Sequence, residues 1–197
     1  MTHATPATAR LAGLLLLAAL SGCASATTTY FALAPVPGTP VTGGPGAIEV
    51  RQPGIAGYLD RNGLVRGDKD YKLDVASTQV WGEPLGDMVG RVMAEDLAQR
   101  LPGTQVTVAQ GVISARPDLL VEVQVDRFDS GHDNTLTLSA QVSVLRARDR
   151  APLATRSFRL TAPNPPAGTA ELVARMSVLL GQLADQTASL VLGGATS

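Results

Sequence analysis

The chain has 197 residues, of which 45% are hydrophobic, and its 16 Lys and Arg nearly balance its 17 Asp and Glu. This near-neutral charge excludes the basic footprint of a nucleic-acid-binding protein, and a single Cys excludes an internal disulfide. The length and the supply of aliphatic side chains predict one domain that folds around its own apolar core.

The N-terminus has the pattern of a lipoprotein signal. An apolar run from Leu11 to Leu20 follows Arg10 and leads into Ser21-Gly22-Cys23. The run is shorter than the roughly 20 residues that span a bilayer, and the small residues before Cys23 give a peptidase access to the chain. We therefore predict that residues 1–22 are a signal peptide and that Cys23 becomes the lipidated N-terminus. The alternative is an ordinary signal peptide followed by a stray or buried thiol.

Residues 23–47 are predicted to be the lipidated end and a tether, because their prolines and glycines interrupt any regular element. These breakers are Pro35, Pro37, Pro40, Gly43, Gly44 and Pro45. Within the tether, Tyr30-Phe31-Ala32-Leu33 forms an apolar island. We expect this island to be a short edge strand or to dock on the folded body, and the alternative is a solvated linker.

The first half of the remaining chain predicts short strands and one helix. Residues 48–50 and 71–75 have strand composition, and Asn62-Gly63 favours a reversal of the chain. Pro84 suits the first turn of a helix, and Pro102-Gly103 suits its end. Between them, apolar residues recur at three- and four-residue spacing, at Leu85, Met88, Val89, Val92, Met93, Leu97 and Leu101.

The second half predicts a strand meander followed by a long helix. Strands are expected at 105–108, 119–126, 135–144 and 153–160. Turn-forming residues separate the last three strands, which are therefore predicted to be antiparallel neighbours in a meander. Thr169 is a plausible N-cap for a helix that reaches Gly193-Gly194. Its apolar positions are Leu172, Val173, Met176, Leu179, Leu180, Leu183, Leu190 and Val191. Residues 48–197 are therefore predicted to be a single α+β domain, with an antiparallel or mixed sheet and both amphipathic helices on one face.

Catalytic, metal and cofactor sites are not predicted. Beyond the signal peptide the chain has one histidine, His132, in a turn-forming stretch without a nearby nucleophile or a second ligand. Gly86 and Gly90 fall inside the first helix rather than in a strand-to-helix loop, which favours close packing over a phosphate cradle. An envelope hydrolase is thus the weakest of the functions considered.

Two groups of residues are candidates for contacts. Asp60 and Arg61, together with Arg66, could grip a lipid phosphate, although a surface ion pair is the ordinary explanation of such a group. Trp81, the single indole, either anchors the helix start on the sheet or forms a partner-binding hot spot.

Several of these motifs together resemble the PqiC/YmbA family of ABC-type transport auxiliary lipoproteins. The resemblance rests on the lipobox Cys23, on Tyr30-Phe31 and Leu33, on Tyr58-Leu59-Asp60-Arg61, and on Trp81, Glu83, Pro84 and Leu85, and it spans the chain after Cys23. Gly82 stands where the family usually has Ala. Tyr58, Asp60, Arg61, Trp81 and Glu83 are accordingly taken as partner or packing candidates.

The resemblance implies an outer-membrane lipoprotein that faces the periplasm and supports membrane integrity. It would dock an MCE-type lipid transport assembly, with an MCE-domain periplasmic protein and inner-membrane transporter components as partners. Ala24, where an inner-membrane retention signal would have Asp, agrees with outer-membrane sorting. The main alternative is a periplasmic carrier that holds lipid in its own cavity. We also expect a homo-oligomer, because the apolar stripe of the C-terminal helix exceeds what one sheet face requires. Part of this helix, or the polar-patterned edge of the sheet, would contact the neighbouring copy.

Overall fold

The computed structural model describes residues 26–67, 72–113, 116–131, 135–163 and 168–195. Cys23 and His132 lie outside these ranges. The strands in the described part are β1 (Thr29–Phe31), β2 (Ala47–Val50), β3 (Gly54–Ile55), β4 (Gly63–Gly67), β5 (Leu73–Trp81), β6 (Gln105–Val108), β7 (Leu119–Ser130), β8 (Thr135–Arg146) and β9 (Pro152–Pro163). The helices there are α1 (Leu85–Arg100) and α2 (Thr169–Ala195).

The described strands form one mixed sheet organised around β7. On one side of β7, β8 and then β9 run antiparallel along its length, which confirms the predicted meander. On the other side, β2, β3 and β4 pair with β7 one after another, and all three run parallel to it. Outside these, β6 pairs with β2, β5 pairs with β4, and β1 pairs with β5.

Both helices pack against the same face of the sheet. α1 contacts β2, β3 and β6, α2 contacts β7, β8 and β9, and the two helices contact each other. The sheet supplies this layer with the alternate residues of its central strands, such as Val121 opposite Val144 and Val123 opposite Val142, all of them buried. The predicted α+β class is confirmed, because each amphipathic element has one apolar face to remove from water.

Two local predictions differ from the structure. Asn62-Gly63 does not make a hairpin, since β3 and β4, which flank it, both run parallel to β7. Thr169 does not act as an N-cap but is the first residue of α2, and its hydroxyl donates to Gln79 Oε1 at 2.7 Å and accepts from Arg66 Nη2 at 2.7 Å. These side-chain bonds attach the start of α2 to the β4–β5 pair.

The apolar stripe of α2 is used inside the domain. Every predicted stripe position except the partly buried Leu190 is buried, while Val178 is an exposed apolar residue on the outer side of the helix. The stripe is wide because α2 contacts the sheet, α1 and the N-terminal segment. The helix therefore has no excess of apolar surface among its predicted stripe positions. The prediction that such an excess drives self-association is wrong.

Candidate functional site

The segment predicted as a tether lies against the domain from Thr29 onward. We call residues 29–41 the strap. In β1, Thr29 pairs with Gln79 and Phe31 pairs with Trp81, and the next apolar residue, Leu33, is buried in the core. The prediction of a short edge strand in this stretch agrees with β1. The prolines that follow prevent a helix without preventing an extended docked chain.

Backbone hydrogen bonds hold the strap across the helix layer. The N–H of Ala34 donates to Ser177 Oγ of α2 at 3.1 Å, and the N–H of Val36 donates to Asp96 Oδ1 of α1 at 2.8 Å. Farther along, the N–H of Val41 donates to the carbonyl of Arg100 at 2.7 Å. The strap therefore bridges the two helices.

Three charged side chains form the centre of this attachment, and we call Asp96, Arg100 and Asp185 the clasp. Arg100 is 2% exposed and donates through Nε to Asp185 Oδ1 at 2.5 Å. Its other donors reach the carbonyls of Val36 at 3.1 Å, Asp96 at 3.1 Å and Gly181 at 3.0 Å. One guanidinium thus joins the strap, α1 and α2, a role that suits the forked donors of arginine.

Asp96 is the most strongly desolvated member of the clasp. It is fully buried, Oδ1 lies 3.5 Å from Arg100 Nη1, and Oδ2 has no hydrogen-bond partner among the described residues. Burial raises the pKa of this carboxyl above its usual value, although the Val36 N–H and the Arg100 charge favour the ionised form. The strap supplies the shortest hydrogen bond that this carboxylate accepts, so removing the strap would leave it poorly solvated.

Two glycines make room for the clasp. A Cβ at Gly38 would overlap the Arg100 guanidinium, and a Cβ at Gly181 would lie 3.1 Å from Val36 Cβ and 3.4 Å from Arg100 Nη2. The clasp was missed in the sequence analysis, yet it has a signal there: Val92, Asp96 and Arg100 recur every four residues. This spacing puts a charge pair on the face that α1 buries.

The comparisons with known proteins identify the family of this chain. A family model for the ABC-type transport auxiliary lipoprotein component matches residues 31–188. The chain belongs to this family. Because the match begins at Phe31, the family's domain includes nearly the whole strap as well as the clasp. No curated protein sequence matches this auxiliary lipoprotein.

Two crystal structures have the same fold as the auxiliary lipoprotein. One, of an uncharacterized protein, is 21% identical, with 83% of this chain and 98% of that chain covered and a TM-score of 0.69. The other, protein XCC0632 from Xanthomonas campestris, assigned to DUF330, is 20% identical, with 84% and 97% covered and a TM-score of 0.69. At this level of identity the likeness concerns the fold alone.

Trp81 lies in the core of the auxiliary lipoprotein, and Tyr58 is partly buried against that core. The Tyr58 hydroxyl donates to Asp129 Oδ2 at 2.6 Å. Burial, together with this carboxylate, raises the pKa of Tyr58 above the usual value of a tyrosine. Asp129 is buried and also accepts from Arg127 Nε at 2.9 Å. Trp81 is 7% exposed and belongs to the apolar core. Both side chains therefore serve packing in this structure.

Asp60, Arg61 and Glu83 lie nearer the surface and do not assemble with the interior pair. Asp60 and Arg61 are exposed, and Arg66 is directed to Gln79 Oε1 and Thr169 Oγ1 instead. Glu83 accepts from Arg91 Nη2 at 2.6 Å. The structure thus does not build the phosphate grip for which Asp60, Arg61 and Arg66 were considered.

Cavities elsewhere on the auxiliary lipoprotein differ in polarity. A polar cavity of about 350 Å³ on the outer sheet face contains Arg51 and Arg150, but these pair with Glu49 and Glu122 at 2.8 Å each, so their charges are compensated. An apolar groove of about 520 Å³ runs between α1 and the edge strand β6. Its apolar lining residues are Ala94, Ala98, Val106, Val108, Val112 and Ile113.

Two further observations concern metals and membranes. Within the described ranges, no group of three or more His, Cys, Asp and Glu side chains is placed to hold a metal ion. In the same ranges, neither helix is long and apolar enough to cross a bilayer.

Gly86 and Gly90 face the loop before β3, where a Cβ at Gly90 would lie 3.0 Å from Pro53 Cδ, so these glycines serve close packing.

Proposed function

We propose that this auxiliary lipoprotein is anchored to the outer membrane through lipidated Cys23 and docks the periplasmic end of an MCE-type lipid transport assembly there. Membership in the family of ABC-type transport auxiliary lipoproteins supports the transport role. The PqiC/YmbA-like motifs, from the lipobox to Trp81-Gly82-Glu83-Pro84, support the finer assignment to an MCE system. The role is non-catalytic and consists of holding a partner at a defined place on the membrane.

The observation that carries this proposal is the attachment of the strap. A docking protein must hold its partner at a fixed distance from the bilayer, and a long flexible tether would let the domain drift. Here the chain after the lipidation site is held by two buried charges of α1, Asp96 and Arg100. The attached strap would therefore hold the domain at a short, fixed distance from a lipid anchor at Cys23.

Replacement of the lipidated residue tests the anchoring. We expect Cys23→Ser to leave the domain folded, with an unchanged melting temperature, but to release it from the membrane fraction, because the lipid and the core lie in separate parts of the chain. Several fused acyl chains hold a protein at a membrane almost irreversibly. If the Ser variant stayed in the membrane after a carbonate wash, the anchoring would be disproved.

Cross-linking tests the docking. A photoreactive amino acid placed along the exposed rim of the domain should capture an MCE-domain protein in membranes from the native host. The same positions in the Cys23→Ser background should lose this product if anchoring is needed for docking. Absence of any MCE-domain product from all positions, with the lipoprotein correctly anchored, would contradict the docking role.

The apolar groove beside β6 favours a second candidate, a lipid carrier. Its volume of about 520 Å³ exceeds the roughly 300 Å³ of a small ligand site, and its walls are aliphatic. Native mass spectrometry after mild extraction separates the two functions. A carrier would retain a phospholipid mass that is lost on Ala98→Trp, whereas a docking protein would be ligand-free.

We propose that the domain self-associates through the open edges of its sheet rather than through the apolar stripe of α2. In the described residues, β6 and β9 each pair along one edge only, so their other edges can accept a strand from a second copy. Light scattering of the domain from Thr29 onward should report a homo-oligomer at micromolar concentration. A monomeric mass across a hundredfold dilution series would exclude it.

A further inference from the structure

The direction of β1 shows from which side the lipid anchor approaches the domain. β1 runs parallel to β5, with Thr29 opposite Gln79, so the chain before Thr29 comes from the side on which β5 begins. Cys23 precedes Thr29 by six residues, a stretch that spans at most about 20 Å. The same number of residues leads back along β5 from Gln79 to Leu73, again about 20 Å.

Apolar side chains are exposed within this distance. Tyr30 is 70% exposed, Leu73 is 49% exposed and Val75 is 41% exposed. Leu73 and Val75 alternate onto one face of β5, whereas the charged Asp74 between them points to the other face. A tyrosine with an apolar ring and a polar hydroxyl suits the boundary between water and lipid.

The clasp keeps the anchor short. If the strap were free, the chain from Cys23 would reach Val41 before meeting the domain, a span of up to about 60 Å. With the strap held by Asp96 and Arg100, only the few residues before Thr29 separate the domain from the lipid. The domain surface nearest to Thr29 must then lie close to the bilayer.

We propose that the edge formed by β1 and the start of β5 rests on the lipid surface, with Tyr30, Leu73 and Val75 in contact with it. This inference rests on the proposed lipidation of Cys23. The other exposed apolar pair, Val112 and Ile113, follows β6, which pairs through β2 with the first residues of β7, whereas β5 pairs through β4 with the last residue of β7. The apolar groove beside β6 therefore lies toward the other end of β7 from the proposed lipid contact.

Spin labels on the lipidated protein test this orientation. Because Cys23 is the only cysteine and the proposed lipid blocks its sulfur, Leu73→Cys and Val75→Cys each introduce one free thiol. Val178→Cys is the matched control, since Val178 and Val75 are both 41% exposed and Val178 lies on the outer side of α2. Val112→Cys reports on the segment after β6, which lies toward the other end of β7.

The labelled proteins are reconstituted into vesicles of phosphatidylethanolamine and phosphatidylglycerol. Collision with lipid-soluble oxygen is compared with collision with a water-soluble nickel chelate. We expect the ratio of oxygen to nickel accessibility to rise severalfold on reconstitution at positions 73 and 75. It should stay unchanged at positions 178 and 112.

The outcomes separate this inference from the proposed function. If the protein does not float with vesicles and its N-terminal peptide carries no lipid mass, lipidation fails and the orientation fails with it. If the protein floats but positions 73 and 75 behave like position 178, the anchor stands and the proposed orientation is overturned. A rise at position 112 instead of 73 and 75 would overturn it as well.

Discussion

Two buried regions of this protein differ in chemistry, since one is apolar and the other is charged. Around Trp81 the core consists of aliphatic and aromatic side chains, whereas the clasp places Asp96 and Arg100 in the same helix layer with almost no exposure. Apolar packing stabilises without regard to direction, while a buried ion pair is costly to desolvate and is favourable in one geometry only. The apolar core therefore accounts for the stability of the domain, and the clasp accounts for where the strap lies on it.

The sharpest way to break this comparison is to remove the cation of the clasp. Arg100→Met should lower the free energy of unfolding by about 3–5 kcal/mol, because it leaves Asp96 buried without its charged partner. Urea denaturation measures the loss. Hydrogen exchange should also show the Val36 and Val41 amides opening below the global unfolding free energy, since both donate within the clasp region.

Arg91→Met is the matched control for that variant. Arg91 also lies on α1 and pairs with Glu83 at 2.6 Å and Glu95 at 3.1 Å, but these pairs are exposed to water. Its loss should change the free energy of unfolding by no more than about 1 kcal/mol. Equal losses for the two arginine variants would contradict the special role of the clasp.

Trp81→Ala tests the apolar side of the comparison. Removing a buried indole should cost about 3–5 kcal/mol and lower the melting temperature, because it leaves a cavity in the core. The Val36 and Val41 amides should then exchange through global unfolding rather than through separate release of the strap. An unchanged melting temperature together with lost partner binding would instead identify Trp81 as a surface contact.

A smaller effect is expected from Gly181→Ala, which adds one methyl group to the clasp. The new Cβ would crowd Val36 and Arg100, and overpacking of this kind costs about 1–3 kcal/mol. Gly193→Ala in the same helix is the control, because a Cβ there meets nothing within 4 Å. The control should stabilise α2 by up to about 1 kcal/mol, the usual gain of Ala over Gly in a helix. Stabilisation by both substitutions would show that the strap packs loosely.

The smallest effect concerns pH. The pKa of Asp96 is raised in the folded state, so the folded protein keeps a proton that the unfolded chain releases above a pKa of about 3.9. As the pH rises from about 4 through the raised folded pKa, this group should therefore lower the free energy of unfolding, by about 1.4 kcal/mol for each pH unit that separates the unfolded and folded pKa values.

The free energy of unfolding of Asp96→Asn, measured relative to the natural chain between pH 4 and pH 7, isolates that contribution. The free energy of unfolding of the variant should increase relative to that of the natural protein as the pH rises. A difference that moves in the opposite direction would mean that the Arg100 charge outweighs burial at this carboxyl.

Much of the fold follows from the sequence by local rules. Alternation from Thr135 to Val144 predicts β8, and three- and four-residue spacing from Leu85 to Leu101 predicts α1 within a residue of its observed ends, because each pattern is set by the geometry of one element. Membership in the transport auxiliary family was likewise readable from motifs near Cys23 and Trp81. The lipidation of Cys23 remains a prediction.

Only the tertiary structure decided what covers each surface. Prolines between Pro35 and Pro45 exclude a helix but do not say whether the extended chain is solvated or docked, and docking is decided by Asp96 and Arg100, far along the chain. The width of the stripe on α2 is visible in the sequence, but its three packing partners are not. Long-range contacts of this kind depend on how separate elements meet, whereas residue spacing reports only the shape of each element alone.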